Sequence, residues 1–201
     1  MSETAKTILL VDDEPLTIVD TARALRNDGY AVRTVHSGED ALTVLDASHG
    51  AIDLILMDVE LGKGMNGGET ARQILVKWDI PILFLSSHIE EDAVVKVADV
   101  PSYGFVAKSS GSLVLLSFVG MAFRLHEAHS MKKAREEELK SSEERFRAAF
   151  HKSAVGMSLT DPNGHMMQVN KAFCEMLGRE EHELLGKDYA EYTFPEDILI
   201  G

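Results

Sequence analysis

The chain has 201 residues, above the ~100–200 of an average domain, so one large domain or two small ones fit. Apolar residues make up 45% and charged residues 26%, which excludes wholesale disorder and fibrous repeats, and a net charge of −13 argues against a nucleic-acid-binding surface. A single cysteine, Cys174, excludes an internal disulfide and any cysteine-cluster metal site. The first residues lack the basic and apolar segments of a secretory signal. The longest apolar run, residues 113–123, is shorter than the ~17–25 residues that span a bilayer. The expectation is a cytoplasmic chain with no membrane span and no nucleic-acid partner.

Short apolar runs lie at residues 7–11, 31–35, 54–57, 80–85 and 104–107. Helical patterns separate them. Ile18, Val19, Ala22 and Leu25 share one face, as do Ala41, Val44 and Leu45, and then Ala71, Ile74, Leu75 and Trp78. Pro15 suits a first helical turn, where its missing N–H costs nothing. Asn27-Asp28-Gly29 stops that helix, and Ser37 with Asp40 opens the next. A shorter, weaker helix is expected over residues 90–98. Strand alternating with helix five times implies a parallel sheet covered on both faces.

Ligands of such a sheet bind beyond the carboxyl ends of its strands. Strand one runs into Asp12-Asp13, strand two into His36-Ser37, strand three into Asp58, strand four into Ser86-Ser87 and strand five into Lys108. Each residue has an ordinary alternative. Asp13 and Ser86 could cap helices, Asp58 could be a loop carboxylate, and Lys108 could be a solvated surface charge. Together they are harder to dismiss. Three carboxylates in one place need a cation or a proton at neutral pH. Oxygen-only donors favour Mg²⁺. Mg²⁺ beside a carboxylate and an ammonium suits phosphoryl transfer, in which a carboxylate can be the nucleophile.

The segments ILLVDDEP, LILMDVELGKGMNGGETA, ILFLSS and YGFVAKS, in that order, resemble the receiver domain of two-component response regulators over residues 5–125. The resemblance implies a flavodoxin-like (βα)5 doubly wound sheet of order 2-1-3-4-5. It implies Asp58 as the phosphoacceptor, served by a histidine kinase or phosphotransfer protein. It also implies Asp12, Asp13, Asp58 and the Glu60 backbone carbonyl as Mg²⁺ ligands, Asp12 acting through water. Ser86 would bond the phosphoryl oxygen and Lys108 would pair with its charge. Phe105 would be the aromatic that moves with Ser86, with a plain core aromatic as the alternative reading. Glu60 and His88 occupy positions that tune phosphoryl lifetime. Two features depart from the family pattern: Ser109 replaces the usual proline after the lysine, and Gly62-Lys63-Gly64 adds a glycine-rich element after Asp58.

Residues 126–150 carry no net charge, no glycine and no proline, and read as a helical linker. Phe118, Leu125, Lys132, Leu139 and Phe146 recur every seven residues, with Met121, Ala128, Arg135, Ser142 and Ala149 on the companion position. A homodimer through the helix after strand five and the linker is expected; a plain solvated helix is the alternative. The segments RFRAAFHKSAVGMSLTDPNGHMMQVNKAFCEMLG and EEHELLGKDYAEYTFPED resemble the first half of a PAS sensor domain, with Asp161-Pro162-Asn163-Gly164 as the turn between strands at 155–159 and 166–169. The sequence ends before the later strands of such a fold. The domains are therefore placed at 1–125 (receiver), 126–147 (linker) and 148–201 (partial α+β PAS domain). Cys174 is read as an inert thiol, and no cofactor-binding residue is assigned in this segment. His126 and His129 lie in RLHEAHSMKK, which does not resemble a kinase phosphoacceptor box.

Three functional readings follow. One is a phosphoryl-accepting switch relayed through the linker to the PAS domain. Another is the input end of a hybrid sensor histidine kinase whose catalytic part lies beyond residue 201. The last is a dimerisation module with an inactive receiver.

Overall fold

The structure, a computed structural model, describes residues 5–48, 50–62, 64–87, 97 and 99–192. The helix expected over residues 90–98 and the site candidate His88 lie outside the described residues. Two compact units divide the chain, residues 1–131 and residues 132–201.

The first unit is built on β1 (Thr7–Val11), β2 (Ala31–Val35), β3 (Leu54–Asp58), β4 (Ile82–Ser86) and β5 (Phe105–Ala107). They form one parallel sheet in the order β2-β1-β3-β4-β5. This is the doubly wound flavodoxin-like order, the reversal lying at β1 and β3. Successive side chains of the central strands point to opposite faces, and both faces are buried. Leu9, Val11, Ile55, Met57 and Phe84 meet Ala41 and Leu45 of α2 (Gly38–Ser48) and Ala71 and Ile74 of α3 (Gly67–Lys77). Ile8, Leu10, Leu56, Leu83 and Val106 meet α1 (Pro15–Asn27) through Ile18, Ala22 and Leu25. The same face receives Leu115, Val119 and Phe123 of α4 (Ser112–Lys152). The outer strand β2 is largely accessible, as an edge strand can be.

Local signals placed the helix ends as expected. Pro15 opens α1, Gly29 follows its end with φ 94°, and Ser37 Oγ accepts the Asp40 N–H at 3.1 Å. The helix that follows β5 runs on into the linker. α4 runs unbroken for 41 residues, and the pairs Lys132–Glu136 and Glu143–Arg147 lie along it at 3.7 and 3.3 Å.

In the second unit, β6 (Ser158–Thr160) and β7 (Met166–Val169) form an antiparallel hairpin followed by α5 (Lys171–Leu177) and α6 (Glu181–Leu184). Asp161 closes the turn by accepting the N–H groups of Asn163 and His165, and Gly164 takes φ 90°. The first strand begins three residues later than expected. Asn170 is the cause. Its buried side chain accepts the N–H groups of Met157 and Phe173, and donates to the carbonyls of Val155 and of Phe150 in the last turn of α4. It binds the backbone at residues 155 and 157 that a longer hairpin would have paired. Cys174 packs partly buried beside Met166, Val169 and Leu184, and burial, with Glu181 and Glu180 nearby, pushes its thiol pKa up.

Asn170→Ala leaves buried donors and acceptors without partners at ~1–3 kcal/mol each, so we expect the second unit to lose about 2–4 kcal/mol. Trp78 is the only tryptophan and lies in the first unit. Its fluorescence transition in denaturant should stay in place while part of the far-UV circular dichroism transition moves to lower denaturant. A shared shift, or none, would contradict this role.

Candidate phosphoacceptor and metal site

Strand register builds the site. Val11 pairs with Met57, Asp58 with Leu85, and Ser86 with Ala107, so the residues at these strand tips line up along one edge. One carboxylate oxygen from each of Asp12, Asp13 and Asp58 lies within 4.8 Å of the others. Asp12 is fully buried and Asp58 is 3% exposed, whereas Asp13 is open to solvent. Lys108 follows β5 directly, at the start of a single 3₁₀ turn, Lys108–Ser110. Its ammonium reaches Asp12 Oδ2 at 2.7 Å and Asp58 Oδ2 at 2.8 Å. It donates an aligned hydrogen bond to Asp58. The contact with Asp12 Oδ2 is an ion pair without that alignment, so the oxygen keeps unused acceptor capacity.

Backbone donors fix the carboxylates. Asp12 Oδ1 accepts the Glu14 N–H at 2.9 Å, and Asp58 Oδ1 accepts the Glu60 N–H at 3.1 Å. Asp13 does not cap α1: the N-cap is Glu14, without a side-chain cap bond, and Asp13 Oδ2 accepts the Gly62 N–H at 3.1 Å instead. The glycine-rich loop is thus tied to the site. A Cβ on Gly62 would lie 2.6 Å from Asp13 Oδ2. Its other end is held by Glu39 of α2, which accepts the Met65 N–H at 3.2 Å.

Ser86 is 5% exposed at the end of β4. Phe105 is half-buried on β5 and stacks on Phe84 with ring centroids 5.4 Å apart. Glu60 is exposed. Asp12, Asp13, Asp58 and Lys108 thus converge, and Ser86 and Phe105 lie on the neighbouring strands. Gly67 is a site residue that sequence reasoning missed. A Cβ there would fall 1.9 Å from the Asp58 carbonyl oxygen, so only glycine lets α3 start beside the phosphoacceptor candidate. Its N–H donates to the Val59 carbonyl at 3.1 Å, and Asn66 with Glu69 forms a capping box next to it. The repeated glycines of GMNGGE were the available signal.

The electrostatics are unbalanced. Burial pushes the Asp58 pKa up, and neither the Lys108 ammonium nor the Glu60 N–H pulls it back to the ordinary aspartate value. Burial lowers the Lys108 pKa, but the adjacent carboxylates of Asp12 and Asp58 outweigh this and raise it. Pairing alone would move the two partners in opposite directions; the cost of burying the carboxylate is what moves Asp58 upward. Three carboxylates and one ammonium leave a deficit of two positive charges when all are ionised. An all-oxygen donor set with an exposed Asp13 and an under-used Asp12 oxygen fits a hard divalent ion of the Mg²⁺ type.

These shifts carry a sign. Asp58 holds its proton better folded than unfolded, so its ionisation subtracts from stability as pH climbs from about 3.9 through the raised value. In metal-free buffer at neutral pH, Asp58→Asn should therefore raise the unfolding midpoint. Lys108→Met should lower stability by about 3–5 kcal/mol, because it strands buried carboxylates. Denaturant titrations with chelator check both; a lower midpoint in Asp58→Asn would contradict the assigned charge balance.

The response regulator receiver domain model matches residues 8–119, and the PAS fold model matches residues 144–199. The N-terminal domain of a response regulator/sensory box/GGDEF three-domain protein from Carboxydothermus hydrogenoformans is a similar solved structure. It is 40% identical, with 62% of this chain and 99% of that chain covered and a TM-score of 0.59. The probable diguanylate cyclase DgcE of Escherichia coli is 39% identical over 84 residues, which are 42% of this chain and 7% of that protein. The sensor kinase CckA of Brucella abortus is 30% identical over 103 residues, 51% of this chain and 11% of that protein. This chain thus matches only a small part of the length of these two relatives. Among the described residues, no helix is long and apolar enough to cross a membrane. With its sheet order, its acidic cluster and its family match all in agreement, the chain belongs to the response regulator receiver family of two-component signalling and carries a PAS fold after its receiver domain.

Proposed function

We propose that Asp58 accepts a phosphoryl group from the phosphohistidine of a histidine kinase or phosphotransfer protein. The observation that carries this reading is Asp58 Oδ2 at 2.8 Å from the Lys108 ammonium within a cluster of three carboxylates. A carboxylate oxygen of Asp58 forms a bond to phosphorus as the phosphorus–nitrogen bond breaks, and the imidazole departs with the bonding pair. The product is an acyl phosphate on Asp58. Asp12, Asp13, Asp58 and the Glu60 carbonyl would hold Mg²⁺, with Asp12 reaching it through water. When bound, Mg²⁺ supplies charge neutralisation for the transferring phosphoryl oxygens.

Lys108 is positioned to follow the new charge. Its ammonium already bridges Asp12 and Asp58, and phosphorylation gives it a dianion to pair with instead. Ser86 supplies a hydroxyl one strand away, and Phe105 is the ring that follows it inward. In this structure the ring stacks on Phe84. Glu60, exposed near Asp58, and His88 are the positions that tune the lifetime of the acyl phosphate. The shift then passes along α4 to the PAS segment. Leu125, Leu139 and Phe146 fall on one seven-residue repeat, interrupted by Lys132, and are exposed at 42%, 70% and 46%, which supports pairing of two copies along this helix.

The test is intact-mass measurement after incubation with Mg²⁺ and a small acyl phosphate donor. The wild-type chain should gain one phosphoryl group, and Asp58→Asn should gain none. Labelling that persists in Asp58→Asn would overturn the assignment.

A further inference from the structure

A second cluster lies at the opposite end of β4 and β5 from Asp58. Tyr103 stands two residues before Phe105, and its N–H donates to the Ile82 carbonyl at 2.9 Å. Its hydroxyl lies 3.0 Å from His126 Nδ1 and 3.3 Å from His129 Nδ1. The two histidines are three residues apart on α4, so they share a face. A phenol has a single proton to donate, so it can satisfy only one imidazole lone pair. The other ring must then turn an N–H toward the same oxygen. Three metal-ligating atoms are thus gathered in one place, two imidazole nitrogens and a phenol oxygen.

The spacings have a further meaning. Bonds of about 2.0–2.1 Å to a transition ion put neighbouring ligand atoms about 3.3 Å apart in a tetrahedron and about 2.9 Å apart at right angles. The two oxygen–nitrogen separations match these edges without rearrangement. Accessibility fits as well. His129 is exposed, and His126 and Tyr103 are half-buried, so an ion and its remaining water ligands can reach the cluster. The local charge is favourable: Asp53, Asp79 and Glu127 line the cavity that His126 also lines, with Lys6 as the single ammonium there. Lys6 is drawn aside over the Phe123 ring, 4.3 Å from its centroid.

We propose that His126, His129 and Tyr103 bind a first-row transition-metal ion of the zinc or copper class, separate from the oxygen-only Asp12, Asp13 and Asp58 site. Imidazole nitrogen selects such ions over Mg²⁺. Burial and the charge of Asp79 raise the Tyr103 pKa, so the phenol oxygen is the weaker third donor and the imidazoles carry the affinity. Bound metal would clamp α4 to the segment leading into β5, two residues before Phe105.

Calorimetric titration with zinc chloride, in excess Mg²⁺ to occupy the acidic cluster, tests this. Wild-type protein should bind one zinc ion per chain. His129→Gln, a substitution at an exposed side chain, should weaken that binding by about tenfold or more. Cupric ion should give an imidazole-perturbed visible spectrum that the same variant changes. A smaller loss of zinc affinity, or no zinc binding by the wild type, overturns the proposal and leaves the histidines as plain hydrogen-bond partners of Tyr103.

Discussion

The receiver site rests on one ammonium placed between two buried carboxylates. Lys108 reaches Asp12 and Asp58 at 2.7 and 2.8 Å, and these three groups come from the ends of β5, β1 and β3. Sheet register is therefore site geometry. A slip of one residue between β1 and β3 would send one carboxylate to the opposite face. The hydrophobic pattern that buries Leu10 and Leu56 on one face and Leu9 and Met57 on the other fixes that register. The core and the chemistry are specified by the same alternation.

The arrangement is held at a cost. Asp58 is buried enough that its pKa rises despite a bonded ammonium, so the folded domain favours anything that neutralises it: a proton, a divalent ion or rearranged charge. A group under such tension answers strongly to a change of charge at its own oxygen. Burial of Asp12 and the backbone bonds from Glu14 and Glu60 keep the carboxylates from relaxing away.

Much of this was legible in the sequence. Apolar runs followed by Asp12-Asp13, Asp58, Ser86 and Lys108 gave both the parallel sheet and its functional edge, because strand tips are encoded locally. What stayed hidden depends on long-range approach. That Gly67 must lack a Cβ follows from its contact with the Asp58 carbonyl, and that Asp13 bonds Gly62 rather than capping α1 follows from a loop 49 residues away. The late start of β6 reflects the claim of Asn170 on the preceding backbone. Convergence of Tyr103 with His126 and His129 requires the seating of α4 on the sheet, which periodicity alone does not give. The continuous helix was within reach of the sequence, because the seven-residue spacing from Phe118 to Phe146 crosses from the helix after β5 into the linker, and α4 runs from Ser112 to Lys152.

The central claim, that the strand-tip carboxylates act together as a divalent-ion site, is tested most directly by titrating Mg²⁺ into wild-type protein, Asp13→Asn and Asp58→Asn. One ion per chain in the wild type, with affinity reduced by about tenfold or more in each variant, is the predicted result, a difference of about 1.4 kcal/mol. Equal Mg²⁺ affinity in all three proteins would contradict it.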